Sequence, residues 1–392
     1  MTSVHIAHAV ISYALLAISL AAIAYSIVAL ACVLAFGRRR AAIARDIAAG
    51  GIRPAMPAMT ILKPVSGDEP DLFDNLCSFC DQDYPQFQVV FGVPGASDPA
   101  APIVEDVALR FPHVPIVSVV GGAARAANRK VAQLQNMIGQ AAHDVLVVAD
   151  SDTRVDRDYL RGLAQAFDGA EIGAVTCLYR AAPQPTFASL LGGLAIDDQY
   201  IPAVLVAALG TVRFCLGATM AVTRRALDAI GGFAALADYL ADDQMLGELV
   251  HRQGLRVVIG TYVVDHGVDE RDFAALWSHE LRWARTNRAA RPAGYAGYFL
   301  TYAWPPALAF LLVSGMPLAG GVLLGAALAL RIAIHYASRW SLASRMPDGV
   351  WLFPLRDLLG LAVWACCFFG RSVRWRDRDL RIDSQGRIVA GS

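Results

Sequence analysis

The sequence predicts an α/β domain on a mostly parallel sheet, carried by membrane helices, and three observations predict it. First, 56% of the 392 residues are hydrophobic and 17% charged, with net charge zero; that is too apolar for an ordinary soluble domain and too polar for a pure membrane bundle. Second, residues 9–36 run without a charge, well beyond the roughly 20 residues a span needs. Third, from residue 59 onward apolar runs of strand length alternate with helical patterns, as in a parallel sheet covered on both faces.

Taken in order, residues 1–37 read as an uncleaved anchor, because "MTSVHIAH" has no basic n-region and the apolar run far exceeds the roughly 7–15 residues of a signal h-region. Arg38, Arg39 and Arg40 follow, so the positive-inside rule puts the next segment in the cytoplasm. Residues 38–57 read as a basic juxtamembrane helix and linker, and residues 58–295 as the soluble domain. Its strands are expected at 59–62, 88–93, 115–120, 144–150 and 173–178, with helices near 71–80, 99–110, 128–141 and 156–168. Residues 187–209 are apolar but interrupted by Asp197, Asp198, Gln199 and Pro202, which suits helices lying on the membrane surface. Sheet pattern returns at 214–224 and 256–266.

Residues 296–370 are membranous, with candidate helices at 296–316, 317–337 and 352–370. Pro305, Pro306 and Pro317 break the first two, and Arg356 and Asp357 make the third costly in lipid unless they pair or face protein. Three full crossings would export the basic tail, 371–392; a cytoplasmic tail is expected instead, with one segment interfacial or re-entrant. Seven scattered cysteines fit a reducing compartment. Cys77 and Cys80 form a lone CxxC, read as one face of a short helix rather than a zinc site.

Five segments carry the polar chemistry. "VLVVADSDTRV" ends an apolar strand in Asp150, Ser151, Asp152, at the sheet edge where ligands bind in open α/β folds. Two carboxylates there either hold Mg2+ or Mn2+ with a diphosphate completing the shell, or cap a strand-end turn. Lys63 and Lys130 are the only lysines; Lys130 is a phosphate contact, Lys63 a support for backbone or nucleotide loop, or both are surface cations. Asp242 and Asp243 precede a helical pattern, as helix-end acids or with one as a general base. In "HELRWARTNR", His279, Arg282 and Trp283 suit a leaving diphosphate and a flat platform, or the segment is a juxtamembrane anchor.

Together and in order, "ILKPVSGDEPDLFDNL", "NRKVAQL", "ADSDTRV", "FCLGATMAVTRRALDAIGGF", "YLADDQMLGELV", "HELRWARTNR" and the tail's "WRDRDLR" resemble the ceramide glucosyltransferase-like family, a membrane branch of the GT-A, family 2/21-like glycosyltransferases. Within it the chain is most similar to the bacterial hopanoid-biosynthesis branch. The resemblance implies a GT-A fold and an inverting, UDP-sugar-dependent hexosyltransferase in the inner (cytoplasmic) membrane of a bacterium, its catalytic domain facing the cytoplasm. It implies N-acetylglucosamine transfer from UDP-GlcNAc to a hydroxyl of a bacteriohopanetetrol-type hopanoid. Position by position, it implies a divalent metal, Mg2+ or Mn2+, on Asp150 and Asp152, and Asp243 as the base with Asp242 an additional candidate. It places His279, Arg282 and Trp283 at the H, R and W of the family's HxxRW motif; with the residue chemistry above, His279, Arg282 and Lys130 are candidates for the leaving group, Trp283 for the acceptor or sugar platform, and Lys63 and Asp98 for the nucleotide. Where many relatives carry an acid near Gly95, this chain reads "FGVPGASDPA", which moves the nucleotide contact to Asp98. Membrane lipids are expected partners and nucleic acid is not. The competing readings are a ceramide or other lipid glucosyltransferase using UDP-glucose, and a non-catalytic nucleotide-sugar-binding membrane protein.

Overall fold

The computed structural model describes residues 2–49, 55–370, 372–375, 378–383 and 386–389. The chain gathers into two compact units: a sheet unit of residues 40–182, 210–269 and 371–392, and a helical unit of residues 1–39, 183–209 and 270–370.

The sheet unit is built on β1 (Met59–Pro64), β2 (Phe87–Val93), β3 (Ile116–Val120), β4 (Val145–Val148), β5 (Thr153–Arg154), β6 (Ile172–Pro183), β7 (Met220–Thr223) and β8 (Arg256–Val268), in the order β3-β2-β1-β4-β7-β6-β8-β5. β3, β2, β1 and β4 are parallel, and β7 runs antiparallel to β4 and β6. This is the mixed, mostly parallel α/β architecture of the GT-A type. Every residue of β1 and β4 is buried, as continuous apolar runs covered on both faces require. Helices Arg129–Met137 and Asp242–Arg252 lie over it, burying Val131, Leu134, Met137, Leu246 and Val250 in one core with Leu62, Val90, Leu146, Val148 and Val222.

Two departures from the expected strands shape the site. Residues 214–219 do not extend β7; they form a loop closed by a Leu216–Thr219 bridge. β5, too short to carry a periodic signal, sits at the far edge of the sheet, although it begins only five residues after β4 ends. That link reaches at most about 17 Å, whereas four strand spacings amount to about 19 Å. The sheet therefore curls, and Asp150, Ser151 and Asp152 close the gap between the end of β4 and the edge strand.

Gly247 shows how tightly the second helix sits: a Cβ there would fall 2.4 Å from the Phe214 backbone. Gly247→Ala should destabilise the sheet unit by about 3 kcal/mol, the upper end for overpacking, measured as a lowered thermal unfolding midpoint. The C-terminal strands, 372–375, 378–382 and 388–389, form a small antiparallel sheet. It joins the same unit through Ile388 N–H to Asp238 O (2.7 Å) and Leu240 N–H to Gly386 O (3.2 Å). Of the tail's "WRDRDLR", Arg376 and Asp377 lie outside the described residues.

In the helical unit, four helices among the described residues are long and apolar enough to cross a membrane: Ser3–Ile47, Phe187–Ala207, Pro317–Leu342 and Val350–Cys367. A fifth candidate, Pro292–Thr301 with Trp304–Val313, is bent by 62° just before Pro305 and Pro306, which fit only at a helix start. His8 bonds the Val313 carbonyl at 2.7 Å, and Ser341 Oγ donates to the Val33 carbonyl at 2.8 Å. Ala22, Ala303, Ala307 and Ala327 meet between these two ends, small residues that let helices approach closely.

Asp197, Asp198 and Gln199, which on sequence favoured a helix lying at the membrane surface, are buried within this unit. Asp198 meets Arg331 (3.0 Å) and His335 (2.8 Å), Ser344 donates to Asp197 (2.9 Å), and Gln199 donates to Asp357 (2.7 Å). Arg356 and Asp357 pair as their cost in lipid demands: Arg356 with Glu280 (2.5 and 2.7 Å), Asp357 with Arg331 (3.1 Å).

Candidate active site

The register of β1 on β4, ending at Leu62 opposite Val148, brings Lys63 beside the Asp150–Asp152 turn. Its ammonium donates to the Asp150 carbonyl (2.5 Å) and Thr153 Oγ (3.0 Å) and lies 3.5 Å from the centre of the Phe79 ring. Burial lowers its pKa to about 7, against the pull of Asp152 and Asp150. Lys63 thus ties the backbone and a hydroxyl of that turn together.

Lys130 opens the helix capped by Asn128, whose side-chain oxygen accepts from the Lys130 and Val131 N–H groups (2.9 and 3.3 Å). Its ammonium bridges Asp150 (2.7 Å) and Asp242 (3.2 Å). Burial works against the charge, but Asp150 and Asp242 outweigh it and hold the lysine above its ordinary range. The sheet unit therefore brings Lys130, Asp150 and Asp242 together. Asn128 also donates to Asp242 (3.3 Å) and to the Tyr239 carbonyl (2.9 Å).

Asp243 is fixed by backbone. Oδ1 accepts from the Gln244 N–H (2.7 Å) and Oδ2 from the Gly217 N–H (3.0 Å). Burial raises its pKa to about 7, Asp242 adding to the rise while Lys130 and the Gln244 N–H oppose it. A carboxylate balanced near neutrality and held by two amides is suited to taking a proton from a hydroxyl. Gly217 is the point where the acids approach: a Cβ there would lie 2.5 Å from Asp150 Oδ2 and 3.7 Å from Asp243 Oδ2.

Asp152 lies on the other side of the turn. The β5–β8 pairing sets Thr153 opposite His266, and His266 Nδ1 is 3.6 Å from Asp152 Oδ1, a buried oxygen without a hydrogen-bond partner. Among the described residues no three His, Cys, Asp or Glu side chains assemble a complete metal cage. Two carboxylates with one buried oxygen unpaired fit a cation that takes its remaining ligands from a diphosphate, the habit of Mg2+ and, with oxygen donors, of Mn2+. Cys77 and Cys80 are free thiols on helix Leu72–Cys80.

Asp98 braces a loop. Oδ1 accepts from the Gly67 (2.7 Å) and Ala100 (3.0 Å) N–H groups, and Oδ2 from Ser66 Oγ (3.2 Å). In the helical unit, helix Phe273–Ala290 carries His279, Arg282 and Trp283 and is capped by Asp272. His279 packs edge-on against Trp283, with centroids 4.8 Å apart, and its Nδ1 bonds the Glu270 carboxylate; Trp283 packs in turn against Tyr200. Arg285 and Arg288 donate to the carbonyls of Phe369 and Gly370 at 2.9 and 3.0 Å.

Asn128, Gly217, His266 and Glu270 escaped the sequence reading. Asn128 and Gly217 lie inside the quoted segments "NRKVAQL" and "FCLGATMA", where an N-cap signal and a loop glycine could have marked them. His266 depends on the curl of the sheet.

Known proteins bear on this geometry in three ways. The chain is 20% identical over 347 residues to ceramide glucosyltransferase 1 of Caenorhabditis elegans, covering 86% of this chain and 74% of that one. It is 23% identical over 256 residues to the β-monoglucosyldiacylglycerol synthase of Synechocystis sp., covering 63% of this chain and 50% of that one. Among solved structures it is similar to a mannosyltransferase from Pyrobaculum calidifontis in complex with GDP-Man and Mn2+, with TM-score 0.48 and 19% identity, covering 90% of this chain and 99% of that one. A family description, "Glycosyl transferase family 21", matches residues 14–388, nearly the whole chain, and by that match this protein belongs to glycosyl transferase family 21.

Proposed function

We propose that this glycosyltransferase transfers N-acetylglucosamine from UDP-GlcNAc to a hydroxyl of a bacteriohopanetetrol-type hopanoid, with inversion at the anomeric carbon. The observation that carries the reaction type is Asp243, held by two amides and raised to about 7 beside the Asp150–Lys130–Asp242 group. In this reading Asp243 takes the hydroxyl proton as the new bond forms. Asp150 and Asp152 would hold Mg2+ or Mn2+, which would supply positive charge opposite the departing diphosphate. Lys130, His279 and Arg282 act on the same leaving group, and Trp283 offers the platform. Lys63 and Asp98 serve the nucleotide indirectly, through the turn and loop they order. One displacement converts an α-linked donor to a β-linked product, so no covalent enzyme intermediate is needed.

The choice of donor and acceptor rests on the phrase-by-phrase resemblance of "HDVLVVADSDTRV" and "LADYLADDQMLGELV" to the hopanoid branch. The names of the curated relatives favour a second reading, glucose transfer to ceramide or diacylglycerol. Membranes containing the protein, incubated with a panel of UDP-sugars and with hopanoid, ceramide and diacylglycerol acceptors, decide between them by product mass. Hopanoid product from UDP-GlcNAc alone is the expected result; glucosylceramide alone overturns it.

Parity supports a reading of the topology. Residues 182 and 210 both belong to the sheet unit, as do 269 and 372, so in this reading each intervening excursion starts and ends on one side. Helix Phe187–Ala207 then does not cross, and residues 270–370 cross an even number of times. The contacts of His8 with Val313 and of Ser341 with Val33 favour the bent pair and Pro317–Leu342 as the two crossings beside the N-terminal helix. The non-crossing segment is Val350–Cys367, which carries Arg356 and Asp357. A cysteine replacing Ser314 should react with an impermeant thiol reagent in intact cells, and one replacing Ser344 only after permeabilisation.

A further inference from the structure

We propose that Glu270 is the positioning residue of His279: it fixes the imidazole through Nδ1 and leaves Nε2 as the atom that meets the reacting groups. This rests on the reading of His279 as a leaving-group residue.

Glu270 is buried and its backbone is tied at both polar groups. Its N–H donates to Ser189 Oγ (2.8 Å), and its carbonyl accepts from Thr186 Oγ (2.6 Å) and Ser189 Oγ (3.2 Å). Thr186 also caps helix Phe187–Ala195 through the Ser189 N–H (3.0 Å), so the segment holding Glu270 is joined to a helix N-terminus by two hydroxyls. From that fixed base the carboxylate accepts from His279 Nδ1, while Trp283, backed by Tyr200, walls the ring at an interplanar angle of 85°.

A carboxylate has only lone pairs to offer, so the hydrogen must sit on Nδ1. Of the two neutral tautomers this selects the one with a bare Nε2; in the imidazolium, Nε2 carries the second N–H. In either state Nε2 points in one direction, and it is buried with no partner among the described residues. A ring that served only packing would leave no nitrogen so placed, because an unpaired buried polar atom costs about 1–3 kcal/mol. The same division of labour holds metal-binding histidines in orientation, where losing the outer partner costs about 10–100-fold.

The test uses the full-length protein in lipid nanodiscs, with UDP-GlcNAc, hopanoid acceptor and Mn2+. Glu270→Ala should lower kcat about 10–100-fold with the donor KM unchanged, and Glu270→Gln, whose amide oxygen still accepts from Nδ1–H, should recover part of the loss. In a His279→Ala background neither change should lower kcat further. In 15N spectra of the histidine ring, Glu270→Ala should release the single tautomer that the wild type holds. The proposal is overturned if Glu270 variants lose only thermal stability at normal kcat, if their losses add to that of His279→Ala, or if the ring tautomer is unchanged. Should His279→Ala transfer at the wild-type rate, the leaving-group reading fails, and the ring spectrum still decides whether Glu270 fixes the imidazole.

Discussion

Asp243→Asn is expected to lower kcat for sugar transfer by about 10²–10⁴-fold, the range a positioned base contributes, with donor binding retained. The pH dependence follows from the same carboxylate. Its pKa lies at about 7, so the wild-type rate should rise as pH increases through that value and the base becomes ionised. Asp242→Asn removes one of the charges that raise it, so that rising limb should move to lower pH. The stability effect has the opposite sense. A carboxyl raised above its unfolded value binds more protons in the native state, so stability falls as pH rises from the ordinary carboxylate range towards 7. Asparagine cannot ionise and escapes that loss, at the cost of setting its amide nitrogen against one of the two N–H donors, about 1 kcal/mol. At pH 8 Asp243→Asn should therefore melt no lower than the wild type while transferring almost nothing. A variant that melts far lower at that pH, or keeps a normal rate, shows that Asp243 is not the base.

The fold was legible where one physical cause dominates a stretch of sequence. Strands β1, β2 and β4 are apolar because both faces are covered, and that pattern needs no partner to be seen. The two-residue β5 has no period to detect and exists because the sheet curls. Asp150, Asp152 and Asp243 stood out as acids at element ends, a local property. What they do to one another could not be read: that Lys130 bridges Asp150 to Asp242, or that Gly217 lies next to both Asp150 and Asp243, depends on β7, the loop before it and two helices that are far apart in the chain. Asp98 shows the converse. Its place after β2 drew attention, yet its oxygens serve the Gly67 and Ala100 amides and Ser66. The partners of Asp197 and Asp198 were not legible because a charge in an apolar helix has two remedies, water or a buried partner, and Arg331, His335 and Ser344, which supply the second, lie more than a hundred residues away.

Lys130→Met should have the second large effect, and it tests the site through stability as well as rate. Methionine fills the same space and leaves Asp150 and Asp242 facing each other without the ammonium that lies 2.7 and 3.2 Å from them. Only Asp242 of the three is buried and Asp150 is about one third exposed, so solvent screens the group and removing the ammonium costs about 1–3 kcal/mol, the penalty for leaving polar partners unsatisfied. The lysine is held above its ordinary range, so its contribution is fully present below that range, at every pH used for assay, and is lost only in strong alkali. The thermal midpoint of Lys130→Met should fall in metal-free buffer, and transfer should fall with it. If Asp150 belongs to the cation site, that variant presents carboxylates no longer held by a competing charge, and a cation that binds only the folded chain stabilises it by mass action. Mn2+ should then raise the midpoint of Lys130→Met by more than it raises that of the wild type, and adding Asp152→Asn should shrink the difference. Equal shifts in the two proteins would place the cation away from Asp150.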